Sequence, residues 1–233
     1  MRCLDLTLPT PAENIALDET LLDAAEDQRE PVETLRFWES PLPAVIVGRS
    51  SKIALEVRLE ACQAEGVPVL RRSSGGAAVV IGPGCLMYSL VLNLARRPAL
   101  RAVSAAHRFV LGKMAEALRP IAPGIRCRGI SDLVLGERKF SGNSLRLKRA
   151  NLLYHGTILY DFRLEWISRY LAMPPREPDY RNGRPHEEFV TNLPVPVSKI
   201  REAIRAAWAA DEPTSLSHAD ASGDWPPTCP QAD

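Results

Sequence analysis

Val67-Pro68-Val69-Leu70-Arg71-Arg72-Ser73-Ser74-Gly75-Gly76-Ala77-Ala78-Val79-Val80-Ile81-Gly82-Pro83-Gly84-Cys85-Leu86-Met87-Tyr88-Ser89-Leu90-Val91-Leu92 is the stretch that decides the fold. Residues 67–72 read as a strand, which Gly75-Gly76 interrupt. An apolar run from Ala77 to Ile81 follows, then the turn Gly82-Pro83-Gly84, then a second apolar run over 86–92. Short apolar runs broken by glycine corners indicate buried sheet rather than helix.

Outward from this stretch, further strands are expected over 2–8, 33–38, 43–48 and 152–160. A hairpin is expected where Leu133-Val134-Leu135 and the run from Lys139 flank Gly136-Glu137, a Gly-first loop suited to a type II′ turn. Thr10-Pro11-Ala12-Glu13 carries the signature of a helix start: Thr10 caps, Pro11 takes the first helical position, and Glu13 closes a capping box. Leu17, Leu21, Leu22 and Ala25 follow at helical spacing, which places Asp18, Glu19 and Asp23 on the solvent side. Further helices are expected over 55–65, stopped by Gly66, over 103–119, with Phe109, Val110, Met114 and Leu118 inward, and over 163–171. A last helix carries Ile200, Ile204 and Trp208, with Ser198 as its cap. Helices mixed with hairpins, rather than regular βαβ alternation, predict an α+β domain with a mixed, largely antiparallel sheet over 1–210. Residues 211–233, rich in Ser, Asp, Pro and Ala without periodicity, read as a disordered tail.

The chain has 233 residues, enough for a sizeable core, and its formal charge of +1 gives a nucleic-acid partner no bulk support. Cys3, Cys62, Cys85, Cys127 and Cys229 are widely and irregularly spaced, which suggests neither a zinc site nor a disulfide framework and fits a reducing, cytoplasmic setting. No apolar run is long enough to span a bilayer, so no membrane partner is expected.

Three segments could carry chemistry. In Arg71-Arg72-Ser73-Ser74-Gly75-Gly76-Ala77-Ala78, glycines permit close approach of backbone to a ligand, and an arginine fork suits a carboxylate or phosphate. The plainer reading is a β-turn with surface arginines. In Ser131-Asp132-Leu133-Val134-Leu135-Gly136-Glu137-Arg138-Lys139-Phe140-Ser141-Gly142-Asn143-Ser144, Lys139 sits just past a tight turn, where its ammonium could hold an acyl or phosphate oxygen. An ordinary solvated lysine is the alternative. Tyr154-His155-Gly156-Thr157-Ile158-Leu159 places a histidine and a glycine inside an apolar strand, either as ligand contacts or as core polar groups.

Taken in order, Arg-x-Ser-Gly-Gly at 72–76, Asp132-Leu133 with the following Lys139-x-Ser141-Gly142, and His155-Gly156-Thr157 resemble the lipoate-protein ligase A family. That family lies within the biotin/lipoate ligase and octanoyltransferase superfamily. Asn14 to Glu19, Val45 to Arg49 and Arg181 to Leu193 add to the likeness, which covers roughly residues 10–195. The family often has a third glycine where this chain has Ala77, His-Asp where it has Ile81-Gly82, and Gly-Asn-x-Asn where it has Gly84-Cys85-Leu86-Met87.

The resemblance implies a biotin/lipoate ligase catalytic-domain fold, with Lys139 as catalytic lysine and Asp132 beside an adenylate. Arg72, Ser74, Gly75, Gly76, Ala77, Ser141, Gly142, His155, Gly156 and Thr157 would belong to the acyl and adenylate pocket, with no protein metal site. The implied reaction joins lipoate to ATP, with Mg²⁺, and passes the lipoyl group from the adenylate to a lysine of a lipoyl-domain or H-type acceptor protein. Complete ligases often carry a small accessory domain, for which the stretch after the catalytic region is too short. A separate accessory subunit is one expectation, independence from it the other. The alternatives are an octanoyltransferase that takes its acyl group from acyl carrier protein through a Cys127 thioester, a biotin ligase, and a non-catalytic acyl-protein-binding member of the family. Cys85 is expected in the core, and Cys62 and Cys229 in no chemical role.

Overall fold

The computed structural model describes residues 1–28 and 32–210, together with the backbone of Glu212–Pro213. The chain runs β1 (Arg2–Asp5), α1 (Pro11–Asp27), β2 (Thr34–Glu39), β3 (Ala44–Val47), α2 (Ile53–Glu56), α3 (Leu59–Ala64), β4 (Val69–Arg71), β5 (Val79–Ile81) and β6 (Cys85–Asn93). It continues with α4 (Val103–Leu118), β7 (Ile125–Arg128), β8 (Asp132–Leu135), β9 (Arg138–Leu147), β10 (Asn151–Leu159), α5 (Glu165–Tyr170), α6 (His186–Phe189), α7 (Val197–Trp208) and β11 (Glu212–Pro213).

A large sheet in the order β11-β1-β2-β6-β10-β9-β8-β7 is parallel only at β11–β1–β2 and antiparallel elsewhere; a small sheet, β4-β3-β5, stands apart from it. The architecture is therefore mixed α+β with a mostly antiparallel sheet, as expected. Strand alternation then assigns the faces. Leu86, Tyr88, Leu90 and Leu92 of β6 share a core with Leu152, Tyr154 and Ile158 of β10 and with α4 and α7. The intervening residues of β6, Cys85, Met87, Ser89 and Val91, face the small sheet and α1. Both faces of the central strands are covered, so β6 is buried along its whole length.

The capping box forms as expected: Glu13 N–H donates to Thr10 Oγ1 at 3.2 Å, and Thr10 N–H donates to Glu13 Oε2 at 2.8 Å. Gly136, at φ +60, takes the left-handed position of the hairpin turn.

Four local expectations fail. Asp18 is buried rather than solvated, because Asn14 and Asp18 lie in the inward stripe of α1 and face Arg36 on β2. The helix expected over 55–65 breaks into α2 and α3 at Val57, which bridges to Leu171. Phe109 stays 38% exposed, its ring edge on Trp208, while Val110, Met114 and Leu118 are buried. The last helix has Pro196 at its N-cap position, two residues before Ser198, and no side chain caps it. Of the segment expected to be disordered, Glu212–Pro213 pairs with β1, and the rest, Cys229 included, lies outside the described residues. No helix among the described residues is long and apolar enough to cross a membrane.

Candidate active site

Lys139 owes its direction to a β-bulge. Where β8 pairs with β9, Leu133 faces Ser141 but Val134 faces Lys139, so one step on β8 matches two on β9. The extra residue reverses the alternation. Phe140 turns into the α4 core, while Lys139 comes onto the same face as Gly142 and Ser144. Its ammonium then lies 2.7 Å from Asp132 Oδ1 on the neighbouring strand. Tyr180 donates its hydroxyl to the other oxygen, Oδ2, at 2.8 Å. Gly142 leaves room for this arrangement, since a Cβ there would stand 2.9 Å from both Cε and Nζ of Lys139.

The glycine turn is held by Arg72, which is buried. Its guanidinium donates to the carbonyls of Ile46 (3.0 Å), Gly75 (2.6 Å) and Ala77 (3.0 Å), and Nε–H also reaches Ser74 Oγ at 3.1 Å. Burial lowers its pKa to about 10, partly offset by the Glu56 carboxylate, so it stays charged at neutral pH. Arg71 likewise donates to the carbonyls of Gly48, Arg49 and Ser51. Arg72 thus spends donors on the backbone of the turn, and Arg71 on the loop after β3. Ser144 Oγ–H donates to Gly75 O at 2.9 Å and Ser51 Oγ–H to Gly76 O at 3.0 Å, which ties the turn to β9 and to the loop after β3. Gly76 sits at φ +89, where a side chain is strained and a Cβ would meet Arg72 at 2.9 Å.

Beside the turn, Ser74 Oγ and His155 Nε2 lie 2.5 Å apart. Because Arg72 donates to Ser74, the hydroxyl proton is assigned to the bond with His155, whose Nε2 accepts and whose ring proton sits on Nδ1. Burial, reinforced by the Arg72 charge and opposed by Asp18, lowers the His155 pKa to about 4, so the ring is neutral. Beneath it, the buried Asp18 carboxylate accepts from Arg36 (2.6 Å), Ser89 (2.7 Å) and Trp38 Nε1 (3.2 Å). These three donors satisfy a charge that would otherwise be costly to bury.

Two open cavities meet at a wall shared by Ala77, Ala78, Val79, Lys139, Gly142 and Thr157. The first is mainly apolar, with Ile15, Trp38, Ile46 and Met87, and has His155 and Asp18 among its polar groups. The second is mainly apolar too, with Leu159, Ile167 and Phe189, and carries Arg176, Arg181 and Glu56 among its polar groups.

Of the residues singled out from sequence, Arg72, Gly76, Ala77, Lys139, Gly142, His155, Gly156 and Thr157 line the first cavity and Ser141 the second. Asp132, Ser74 and Gly75 stand one bond behind them, against Lys139, His155 and Arg72 respectively. Sequence reasoning missed Asp18, Trp38, Met87 and Tyr180. Asp18 was within reach, since a polar residue four after Asn14 in an apolar helical stripe faces inward. Cys127 is exposed on the edge strand β7 and lines neither cavity, and Cys85 is buried.

Residues 10–208 match the family model described as the lipoyl protein ligase A/B catalytic domain. A Mycoplasma pneumoniae protein named "Probable lipoate-protein ligase A" is 30% identical over 173 residues, 73% of this chain and 49% of that one. The octanoyltransferase LipM of Geobacillus kaustophilus is 26% identical over 232 residues, 87% of this chain and 83% of its own. The chain spans about half the length of several of the ligase relatives it matches. Among solved structures, a chain of the Thermoplasma acidophilum bi-partite lipoate protein ligase and E2 lipoyl domain gives a TM-score of 0.77 at 21% identity, covering 94% of this chain and 89% of that one. A lipoate-protein ligase A bound with ATP gives 0.77 at 22%, covering 94% and 92%. At these identities the two structures establish a shared fold.

Proposed function

Because the chain belongs to the lipoyl protein ligase A/B catalytic-domain family, we propose that it is a lipoate-protein ligase that makes a lipoyl-adenylate from lipoate and ATP and passes the lipoyl group to a protein lysine. One observation carries this reading: the Lys139 ammonium, pinned to Asp132, stands in the wall common to two mainly apolar cavities, the second of which also carries Arg176 and Arg181. An acyl-adenylate needs such a pair of compartments, with a positive charge where they join.

In the first step a lipoate carboxylate oxygen attacks the α-phosphorus of ATP, and the bond to pyrophosphate breaks. Lys139 offsets negative charge on the carboxylate and phosphate oxygens as the transition state develops. The acyl chain occupies the apolar cavity, against Trp38, Ile46 and Met87, and the nucleotide the second. In the second step the acceptor amine attacks the acyl carbon, AMP departs with the C–O bonding pair, and the amine loses a proton. Neutral His155, bonded to Ser74, adds no charge to the acyl compartment. Among the described residues no group of three or more His, Cys, Asp or Glu could hold a metal. Mg²⁺ would be held by the nucleotide phosphates and would offset part of their charge.

The likeness to an octanoyltransferase keeps a second donor in view, acyl carrier protein, through a cysteine thioester. Cys127 lies outside both cavities, while Cys3, Cys62 and Cys85 are buried outside them, which favours the ligase. The acceptor is a lipoyl-domain or H-type protein, with a separate accessory subunit as a further partner; the similar Thermoplasma lipoate protein ligase is bi-partite. The test offers the purified chain apo-lipoyl domain in two mixtures, lipoate plus ATP or octanoyl carrier protein without ATP. Mass gain on the acceptor in the first mixture alone is expected. Gain in the second alone makes the chain a transferase, and gain in neither, with accessory protein added, makes it an acyl-protein-binding relative.

A further inference from the structure

We infer that Tyr180 is a positioning residue for Lys139, acting through Asp132 and joining the orientation of the ammonium to the seating of the segment over the second cavity. The inference rests on the reading of Lys139 given above. Asp132 is 5% exposed, so water cannot readily replace a lost partner. Its two oxygens have different partners, Lys139 at 2.7 Å on Oδ1 and the Tyr180 hydroxyl at 2.8 Å on Oδ2. A carboxylate bonded in this way has no freedom to rotate about its last torsion. Without the phenol, one oxygen is left short of a donor, the group can turn, and the lysine follows it.

The tyrosine itself is fixed on three sides. The Arg128 guanidinium lies 4.9 Å from its ring centroid, and the Phe189 ring lies at 5.2 Å. Gly129, at φ +55, is so close that a Cβ there would reach the ring at 3.4 Å. Burial and then the Asp132 charge push the phenol pKa upward, so it remains a donor at any pH the folded chain meets.

Tyr180 belongs to the stretch 172–190, from which Ala172, Pro174, Arg176, Pro178, Arg181 and His186 line the second cavity. The end of this stretch also grips the lysine by its backbone. Val190 bridges Lys139, and Thr191 N–H donates to Lys139 O at 2.8 Å. Seating of this segment and aim of the ammonium are thus linked twice, once through main chain and once through the Tyr180–Asp132 bond.

The test uses Tyr180→Phe in the full chain, which keeps the ring and removes the hydroxyl. Two readings are taken. The kcat for loading apo-lipoyl domain should fall about tenfold, the scale of one hydrogen bond to a charged group, while KM for lipoate stays within about twofold. Under competitive reductive methylation followed by mass spectrometry, Lys139 should react several-fold faster, with Lys113, Lys148 and Lys199 unchanged. Tyr180→His, which keeps a ring donor, should recover part of both readings. In an Asp132→Asn background, Tyr180→Phe should add no further change. Wild-type labelling of Lys139 in Tyr180→Phe, or losses that add in the double variant, overturn the inference. A wild-type chain that loads nothing from either donor overturns the ligase reading instead, and the labelling experiment still decides the role of Tyr180.

Discussion

Lys139 and Gly142 share a face of β9 although they lie three residues apart, and a Cβ on Gly142 would fall 2.9 Å from the lysine nitrogen. Strand alternation alone forbids that sharing; the bulge opposite Val134 creates it. The glycine therefore keeps open the volume that the ammonium crosses to reach Asp132.

Gly142→Ala should consequently separate folding from activity. Gly142 is not among the glycines with positive φ, so alanine fits its backbone, and the crowded atoms are the flexible end of a side chain. Stability should change by less than about 1 kcal/mol in urea titration. Acceptor loading should fall on the order of 10–100-fold, because the ammonium must leave its seat. Lys139→Ala should abolish loading with the fold intact by circular dichroism. Normal loading by either variant would remove Lys139 from the chemistry.

These contacts show how far the sequence could be read. Features encoded by neighbours were legible: the Thr10–Glu13 box, the Gly136 turn, and the order of motifs that brought Arg72, Lys139 and His155 into one cavity. Features encoded by partners far along the chain were not. Asp18 reads as a wet-side residue until Arg36, on another element, claims it, and Tyr180 gains meaning only from Asp132, 48 residues away. The bulge is hidden for a related reason. Period-two reading pairs Lys139 with Ser141, and only the register of the partner strand shows that Lys139 belongs with Gly142.

His155 should make stability depend on pH in the acid range. Its ordinary value of 6.5 holds in the unfolded chain, against about 4 when folded. Below 6.5 the unfolded state takes up a proton that the folded state refuses, so stability falls as pH drops from about 6.5 to about 4. The loss is on the order of 3 kcal/mol. His107 and His186 are shifted the same way and add to the slope. Urea titrations at several pH values should therefore be flatter, though not flat, for His155→Gln. An identical slope in that variant would mean that the histidine is not held neutral by its surroundings.

Arg72→Lys should behave as a severe change. The planar guanidinium reaches three carbonyls and the Ser74 hydroxyl from one buried position. An ammonium at the end of a lysine cannot span those directions, so at least one buried carbonyl loses its donor. A cost of about 2–4 kcal/mol is expected in urea titration, with faster amide hydrogen exchange over residues 73–78. Exchange that stays at the wild-type rate would show that the turn keeps its shape without the clamp.

Cys127→Ser separates the two donors. Cys127 is an exposed residue of the edge strand β7 and lies outside both cavities. A thioester formed there would hold its acyl chain away from the Lys139 ammonium, in water, with none of the apolar wall built by Trp38, Ile46 and Met87. Loading from lipoate and ATP should thus stay within about twofold of wild type, a surface substitution remote from the reacting atoms. No acyl adduct labile to hydroxylamine should be found on the chain after incubation with octanoyl carrier protein. If such an adduct forms on the wild-type chain and disappears in Cys127→Ser, the nucleophile is that thiol, β7 must move to bring it to the acyl group, and the adenylate route gives way to a thioester.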